Sequence, residues 1–439
     1  MTATRERLWD PAEALPREEL QALQSARLRE VCRRVAAVPF YADAFATLGL
    51  DPLDVRGLED LWHLPFTTKE DLRRHYPFGL VTVPRERVAR VHGSSGTTGK
   101  PTVVAYTKAD LELWSNLCAR FLVSGGLAAE HLVHVAFGYG LFTGGFGLHA
   151  GIERVGAGVV PAAGGNTPRQ VMLIEDLRAD VLVCTPSYAL HIAETARELG
   201  KDPAALPLRL GFFGGEPWTE EMRGEIERAL GIAAFNNYGL SEVMGPGVAG
   251  ECRERAGMHV AEDHFVVECL DPLTMQPVPD GAPGELVFTA LTKEALPLLR
   301  YRTRDLAALD RRPCPCGRNT ARMGRVIGRS DDMLIIRGVN VFPSQIEEAL
   351  LRVEGVAPHY LIEVSRPGTM DDVAVKVEIR RELFSDEMRQ MIALRDRIDH
   401  EIHAITGIRV TVELVAPGTL ERSAGKARRV LDHRKASAG

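Results

Sequence analysis

Long apolar runs are absent. Nowhere in the 439 residues does the chain approach the roughly eighteen consecutive apolar residues that a membrane-spanning helix needs. The first residues, Met1 to Arg7, lack the apolar core of a secretory leader, which predicts a cytoplasmic protein with no membrane partner. Excess positive charge is absent too: 53 Lys and Arg stand against 59 Asp and Glu for a formal charge of −6, so nucleic acid is not an expected partner. Cysteine is sparse and odd in number, seven in all, which does not read as a secreted disulfide framework. What remains is ordinary for a soluble globular protein, 45% apolar and 26% charged. The length allows two or three domains of about 150 residues each.

The most informative stretch is His92-Gly93-Ser94-Ser95-Gly96-Thr97-Thr98-Gly99-Lys100-Pro101, between the apolar alternating runs Val88–Val91 and Thr102–Tyr106. This predicts a strand, a glycine-rich turn and a second strand. Glycines let backbone approach a ligand closely, and the hydroxyls and successive N–H groups can converge on phosphate oxygens. A Walker loop is excluded, because five residues separate Gly93 from Gly99 and Pro101 follows the lysine. A dinucleotide fingerprint is excluded as well, since Gly93 and Gly96 are three apart. Taken alone, the stretch reads either as a phosphate loop or as a solvated hairpin.

Helical spacing runs from Pro16 to about Leu48, punctuated by Pro39 and Gly49, and Thr67 or Thr68 is placed to cap a helix beginning near Lys69. A helix from Lys108 to Leu122 precedes a strand over His131–Phe137. The run Gly138-Tyr139-Gly140-Leu141-Phe142-Thr143-Gly144-Gly145 follows, and its close glycines with two aromatics suit a flat apolar ligand, or else plain packing. Strands at Val181–Cys184, Leu210–Phe213 and Ala233–Phe235 then alternate with helices ending at Leu199 and Leu230, which implies parallel strands with crossover helices. Ligand sites in such sheets lie beyond the strand carboxyl ends, where Gly214–Pro217 and Asn236–Glu242 are expected as loops. From about residue 329 a smaller α+β unit is predicted, with helices over 344–351 and 386–405 and strands over 372–379 and 409–414. The fold class is therefore α/β, with a large domain over 1–328 and a small one over 329–439.

In combination these segments resemble the adenylate-forming superfamily of acyl-CoA synthetases. Ser94–Lys100 is similar to its phosphate loop, Gly214-Gly215-Glu216-Pro217 to the segment along adenine, and Tyr238-Gly239-Leu240-Ser241-Glu242 to its Tyr-Gly-x-(Ser/Thr)-Glu signature. Tyr301-Arg302-Thr303-Arg304-Asp305 matches a further element, and Gly328-Arg329-Ser330-Asp331 the hinge. The closest wording is that of phenylacetate-CoA ligases, in Pro65–Lys69, Tyr139–Gly145 and Ser241–Val248.

The resemblance implies a large N-terminal domain with mixed and parallel sheets and a mobile C-terminal domain, using ATP, Mg²⁺ and coenzyme A. It implies phosphate contacts from Lys69 and from Ser94, Ser95, Gly96, Thr97, Thr98, Gly99 and Lys100. Nucleotide contacts are implied for Gly214, Gly215, Glu216, Pro217, Asn237, Tyr238, Gly239, Ser241 and Arg329, with Asp305 accepting from the ribose hydroxyls. Glu242 is implied as the Mg²⁺ ligand, because a carboxylate near polyphosphate needs a cation between them. Tyr139, Phe142, Gly144, Gly145, Asn236 and Asn237 would line the acid pocket. Asp331 would serve as hinge, Gly338 would line the coenzyme A passage, and Lys426 would act in adenylation.

One departure shapes the substrate expectation. Asn236-Asn237 stands where the family usually has an apolar residue facing the ring, and an unpaired buried amide costs about 1 to 3 kcal/mol. A hydroxy- or amino-substituted benzoate is therefore expected, with phenylacetate as the alternative. A carrier protein acting in trans is kept as another acceptor, and self-association as a homodimer is left open. The remaining basic residues near the C-terminus, Arg428, Arg429 and Arg434, read as a solvated end. Separately, Cys314-Pro315-Cys316-Gly317 and the pair Cys252 and His259 offer thiol and imidazole ligands from two loops, which suits a structural zinc, against the alternative of small core cysteines.

Overall fold

A computed structural model describes residues 8–94, 101–337, 339–366, 370–380, 388–421 and 429–436. These fall into two compact units, one built from residues up to Cys184 with Leu206–Gly215 and Ile232–Arg325, the other from Thr185–Ala205, Glu216–Gly231 and the chain from Val326.

In the first unit, helices α1 (Arg17–Val35) and α2 (Pro39–Leu48) divide at the predicted proline, which occupies the first turn of α2. The short helix α3 (Lys69–Arg74) has Thr68 as its cap, in a reciprocal box with Asp71. Thr67 has a different task. Its hydroxyl meets Tyr41 Oη at 2.8 Å and donates to the Leu299 carbonyl at 2.7 Å. The predicted hairpin forms from β1 (Arg90–Ser94) and β2 (Thr102–Tyr106), antiparallel in register. Helix α4 (Lys108–Gly125) starts at a second capping box, Thr107 with Asp110, and buries Trp114, Leu117, Cys118 and Phe121.

The main sheet is mixed. Strands β3 (Leu132–Val135), β4 (Gly158–Val160), β5 (Val181–Cys184), β6 (Leu210–Phe213) and β7 (Ala233–Leu240) are parallel, in the order β4-β3-β5-β6-β7. Helices α5 (Gly144–Val155) and α6 (Thr167–Asp176) fall between β3 and β5 in sequence. β5 is buried at every residue, as a continuous apolar run in a covered parallel sheet should be. At β7 the direction changes: β8 (Gly245–Glu251), β9 (Met258–Val260), β10 (Phe265–Leu270), β11 (Pro283–Ala290), β12 (Tyr301–Asp310) and β13 (Arg322–Met323) continue antiparallel as β7-β8-β9-β13-β12-β11-β10.

This corrects one expectation. The segment from Asn236 to Leu240 is strand, not loop, because β8 returns beside it and satisfies its backbone. Of the arginines near Asp305, Arg300 pairs with Glu268 at 2.8 Å, while Arg302 and Arg304 lie 2.8 and 3.6 Å from Glu285.

The second unit combines helices α7 (Pro186–Glu198) and α8 (Glu220–Leu230) with the C-terminal segment. His359 pairs with Glu194 of α7 and Arg380 with Glu225 of α8, at 2.8 and 2.5 Å. A hairpin of Leu334–Ile336 with Val339–Val341 leads to α9 (Pro343–Arg352). Four strands then lie in the order Thr411–Val415, Asp372–Ile379, Val356–Ser365, Val430–Asp432, antiparallel at the centre and parallel at both edges. Helix α10 (Met388–Thr406) contributes Leu394, Ile398 and Ile402 to the core with Ile346, Leu350, Ile362 and Val375. The α/β class with a smaller α+β part therefore holds.

Candidate active site

Four segments distant in sequence meet around Glu242. Thr67 donates its N–H to the Arg300 carbonyl, and Arg302 donates back to Thr67, so the chain before α3 runs beside β12 and delivers Lys69 at the first turn of its helix. Lys69 Nζ lies 3.4 Å from Glu242 Oε1, and Ser94 Oγ, at the end of β1, donates to the same oxygen at 3.0 Å. The Glu242 side chain is 6% exposed and Lys69 35%, so the carboxylate is buried and the amine sits at the edge of solvent. The Glu242 carboxylate and the Ser94 hydroxyl are hard oxygen donors, and the Lys69 ammonium beside them is a cation, not a ligand. Such a donor set fits Mg²⁺, which commonly takes one or two carboxylates plus phosphate oxygens and water.

Beside it, Tyr238 Oη donates to Asp305 Oδ2 at 2.6 Å, bringing β7 and β12 together through two predicted nucleotide residues. The Tyr238 ring stacks on Phe288 with centroids 5.9 Å apart. Gly214, just after β6, packs so closely on β7 that a Cβ there would stand 2.5 Å from the Asn237 carbonyl oxygen. Asn237 Nδ2 donates to the Phe213 carbonyl at 2.8 Å, and the Asn236 N–H donates to Glu251 Oε2 at 2.7 Å. The Asn237 amide is thus satisfied within the chain. Gly239 sits at a register shift in the β7–β8 pair, where a Cβ would lie 1.9 Å from the Gly245 carbonyl oxygen, so only glycine fits.

The run from Gly138 to Gly145 closes on the same place. Thr143 Oγ1 meets Ser241 Oγ at 2.9 Å, and the Leu141 carbonyl accepts from the Gly93 N–H at 2.9 Å, tying this run to β1. Gly144 and Gly145 open α5. Tyr139 Oη meets His149 Nδ1 at 3.1 Å and its ring packs edge-on against Phe146, whereas Phe142 is 49% exposed.

Sequence reasoning missed Lys293. Although fully buried, it places Nζ 4.4 Å from the Tyr106 ring centroid and 3.4 Å from the Glu242 carbonyl oxygen. Burial pulls its pKa down to about 8 against the attraction of Asp110 and Glu242. The signal was a single cation, between Thr292 and Glu294, at the head of the apolar run Ala295–Leu299. Tyr106 in turn donates to the Met244 carbonyl at 2.8 Å, fixing the turn after Glu242.

Glu216, Pro217, Arg329 and Asp331 belong to the second unit. There Glu216 Oε1 accepts the Ser187 N–H at 2.8 Å, and Arg329 pairs with Asp331 at 2.9 Å. Two of the arginines expected to be solvated are packed instead. Arg429 lies over the Tyr360 ring at 4.5 Å and 3.4 Å from Glu347, and Arg434 pairs with Asp432 and Asp371, because carboxylates and a ring face await them on the unit's sheet and helices. Ser95, Gly96, Thr97, Thr98, Gly99, Lys100, Gly338, Lys426 and Arg428 lie outside the described residues. Cys252, His259, Cys314 and Cys316 gather in the first unit, with ligand atoms all within 4.8 Å of one another. No helix among the described residues is long and apolar enough to cross a membrane.

The sequence matches the AMP-binding enzyme family over residues 50–290 and the AMP-binding enzyme C-terminal domain over residues 338–434. It is 52% identical to the phenylacetate-coenzyme A ligase of Thermus thermophilus over 438 residues, covering 96% of this chain and 98% of that one. The Escherichia coli phenylacetate-coenzyme A ligase is 50% identical over 429 residues, covering 97% of each. Among solved structures, 2-hydroxyisobutyryl-CoA ligase in complex with 2-HIB-AMP superimposes with a TM-score of 0.92 at 32% identity, covering 98% of this chain and 93% of that one. The chain therefore belongs to the phenylacetate-CoA ligase family of the adenylate-forming superfamily and is an AMP-forming acyl-CoA ligase.

Proposed function

We propose that the acid activated is phenylacetate or a close arylacetate, joined to coenzyme A through an acyl-adenylate with release of AMP and pyrophosphate. The observation that carries this is the identity of about half of all residues, over nearly full length, with proteins named as phenylacetate-CoA ligases. The argument for a hydroxy- or aminobenzoate weakens in step. It rested on unpaired amides, and Asn237 already bonds the Phe213 carbonyl.

In this reading Ser94 and Lys69 hold Glu242 oriented toward incoming polyphosphate. Mg²⁺ carried by Glu242 would supply charge neutralisation at the phosphates. Asp305 accepts from the ribose hydroxyls, kept in place by the Tyr238 hydroxyl. The acid carboxylate attacks the α-phosphorus, the bond to the pyrophosphate oxygen breaks, and Lys426 lies across the developing charge. The small domain then turns about Asp331, withdrawing Lys426 and bringing the Gly338 loop inward, and the coenzyme A thiol displaces AMP from the acyl carbon. Tyr139 and Phe142 are assigned to the ring.

ATP–pyrophosphate exchange with phenylacetate, benzoate, salicylate, anthranilate and hydroxyanthranilate, each with and without coenzyme A, tests this. Exchange led by phenylacetate, with thioester formed only when coenzyme A is added, supports it. Exchange led by a hydroxylated or aminated benzoate overturns the arylacetate assignment and returns attention to Asn236. Thioester formation failing with every acid that gives exchange would overturn coenzyme A as acceptor and favour another thiol.

A further inference from the structure

We propose that Cys252, His259, Cys314 and Cys316 bind one structural Zn²⁺ as a closed tetrahedral site that staples the loop after β8 to the loop before β13. The distances fit a missing centre. Zinc bonds of about 2.3 Å to sulfur and 2.0 to 2.1 Å to nitrogen, set tetrahedrally, require edges of about 3.8 Å between sulfurs and about 3.6 Å between sulfur and nitrogen. Cys252 Sγ and Cys314 Sγ are 3.8 Å apart, and Cys316 Sγ and His259 Nε2 are 3.4 Å apart. A disulfide would need sulfurs about 2.05 Å apart, so the thiols are placed for a shared ligand and not for each other.

The surroundings point the same way. His259 Nδ1 meets Thr320 Oγ1 at 3.2 Å, which orients the ring and leaves Nε2 as the nitrogen facing the cluster. Cys252, Cys314 and His259 are 1, 6 and 9% exposed, so water has little access as a competing ligand. With three sulfurs and one imidazole filling the four positions, no site remains open for chemistry, as in structural zinc sites. Cys32, Cys118 and Cys184 are equally buried but belong to no such group, as expected of small core residues.

The ion would act where support is useful. Cys252 directly follows Glu251, the residue that accepts the Asn236 N–H, and His259 lies in β9 opposite Arg322 of β13. Removing the staple would loosen the β8–β9–β13 junction behind the nucleotide strand.

Metal analysis of the full-length protein after washing with a mild chelator should give one zinc per chain, reduced at least fivefold by Cys314→Ser or Cys316→Ser and unchanged by Cys32→Ala. Because a serine variant that folds poorly would lose zinc for that reason alone, intact wild type is examined as well. Protein reconstituted with Co²⁺ should show thiolate-to-metal charge transfer and the intense visible bands of tetrahedral cobalt. Stepwise thiol modification should release zinc as three thiols react. Washed wild type holding less than a tenth of an equivalent of zinc, with cobalt giving only the weak spectrum of an octahedral ion, would overturn the proposal. So would full zinc retained by both serine variants, or iron in place of zinc.

Discussion

Glu242→Gln keeps the size of the side chain and its bond from Ser94 while removing the charge opposite Lys69. Pyrophosphate exchange should fall about 10²- to 10³-fold, the usual cost of deleting one preorganised electrostatic group. The melting temperature should stay close to that of wild type, and exchange kinetics beside a thermal scan separate the two effects. Lys293 makes the opposite pairing of consequences. A buried amine is costly to desolvate, and Met fills nearly the same space, so Lys293→Met should be as stable as wild type or more so. Losing its bond to the Glu242 carbonyl should nonetheless raise the KM for MgATP about tenfold, since a hydrogen bond from a charged donor is worth about 1.5 kcal/mol or more. A variant less stable than wild type with an unchanged KM would make Lys293 a packing residue. At this scale the motifs singled out Tyr238, Glu242 and Asp305, and the fold joins Tyr238 to Asp305 and sets Glu242 beside Lys69. The sequence hid Lys293, whose role comes from Tyr106 and Glu242, 187 and 51 residues away in the chain.

Among elements, α3 shows how a short helix depends on its first residue. Thr68 accepts the Asp71 N–H and Asp71 accepts the Thr68 N–H, so Thr68→Ala removes one side of the box and should cost about 1 kcal/mol. With its first turn loosened, Lys69 is no longer held 3.4 Å from Glu242. Pyrophosphate exchange should drop severalfold, and Thr68→Ser should restore it. Helices with cap signals were legible to within a residue or two, α8 among them, because a Thr cap and a closing Gly are local features. The strand through Asn236–Leu240 was not. Its extended form depends on β8 returning beside it, and no local pattern of these polar and small residues announces that partner. The packed Arg429 and Arg434 were missed for the same reason, since charge at a chain end reads as solvated until a sheet supplies Glu347, Asp371 and Asp432.

At the scale of the whole molecule, pH acts on stability through Glu13. Glu13 is buried against Arg318 at 3.0 Å, and burial lifts its pKa from the ordinary carboxylate range to about 7 despite that cation. A raised acid pKa favours the folded state fully below the unfolded value of 4.5, and the advantage is lost as pH rises through about 7. At most about 3 kcal/mol is at stake for a shift of this size. Wild type should therefore lose thermal stability between about pH 4.5 and 7 relative to Glu13→Gln, which should show a flatter profile. Parallel melting curves across that range check it, and identical slopes would refute the assignment. The overall class and the division into a large and a small part were readable from alternating strands and helices followed by an α+β pattern. The grouping of α7 and α8 with the C-terminal segment was not, because it is made by contacts such as His359 with Glu194 and Arg380 with Glu225.

The register shift at Tyr238 and Gly239 divides β7 into two stretches that answer to different neighbours. Residues before it are set by β6 and by the far part of β8, and residues after it by the turn into Gly245. Substitutions at Asn236 should therefore leave Glu242 where it is, whereas any side chain at Gly239 should shift it by forcing the strand away from Gly245.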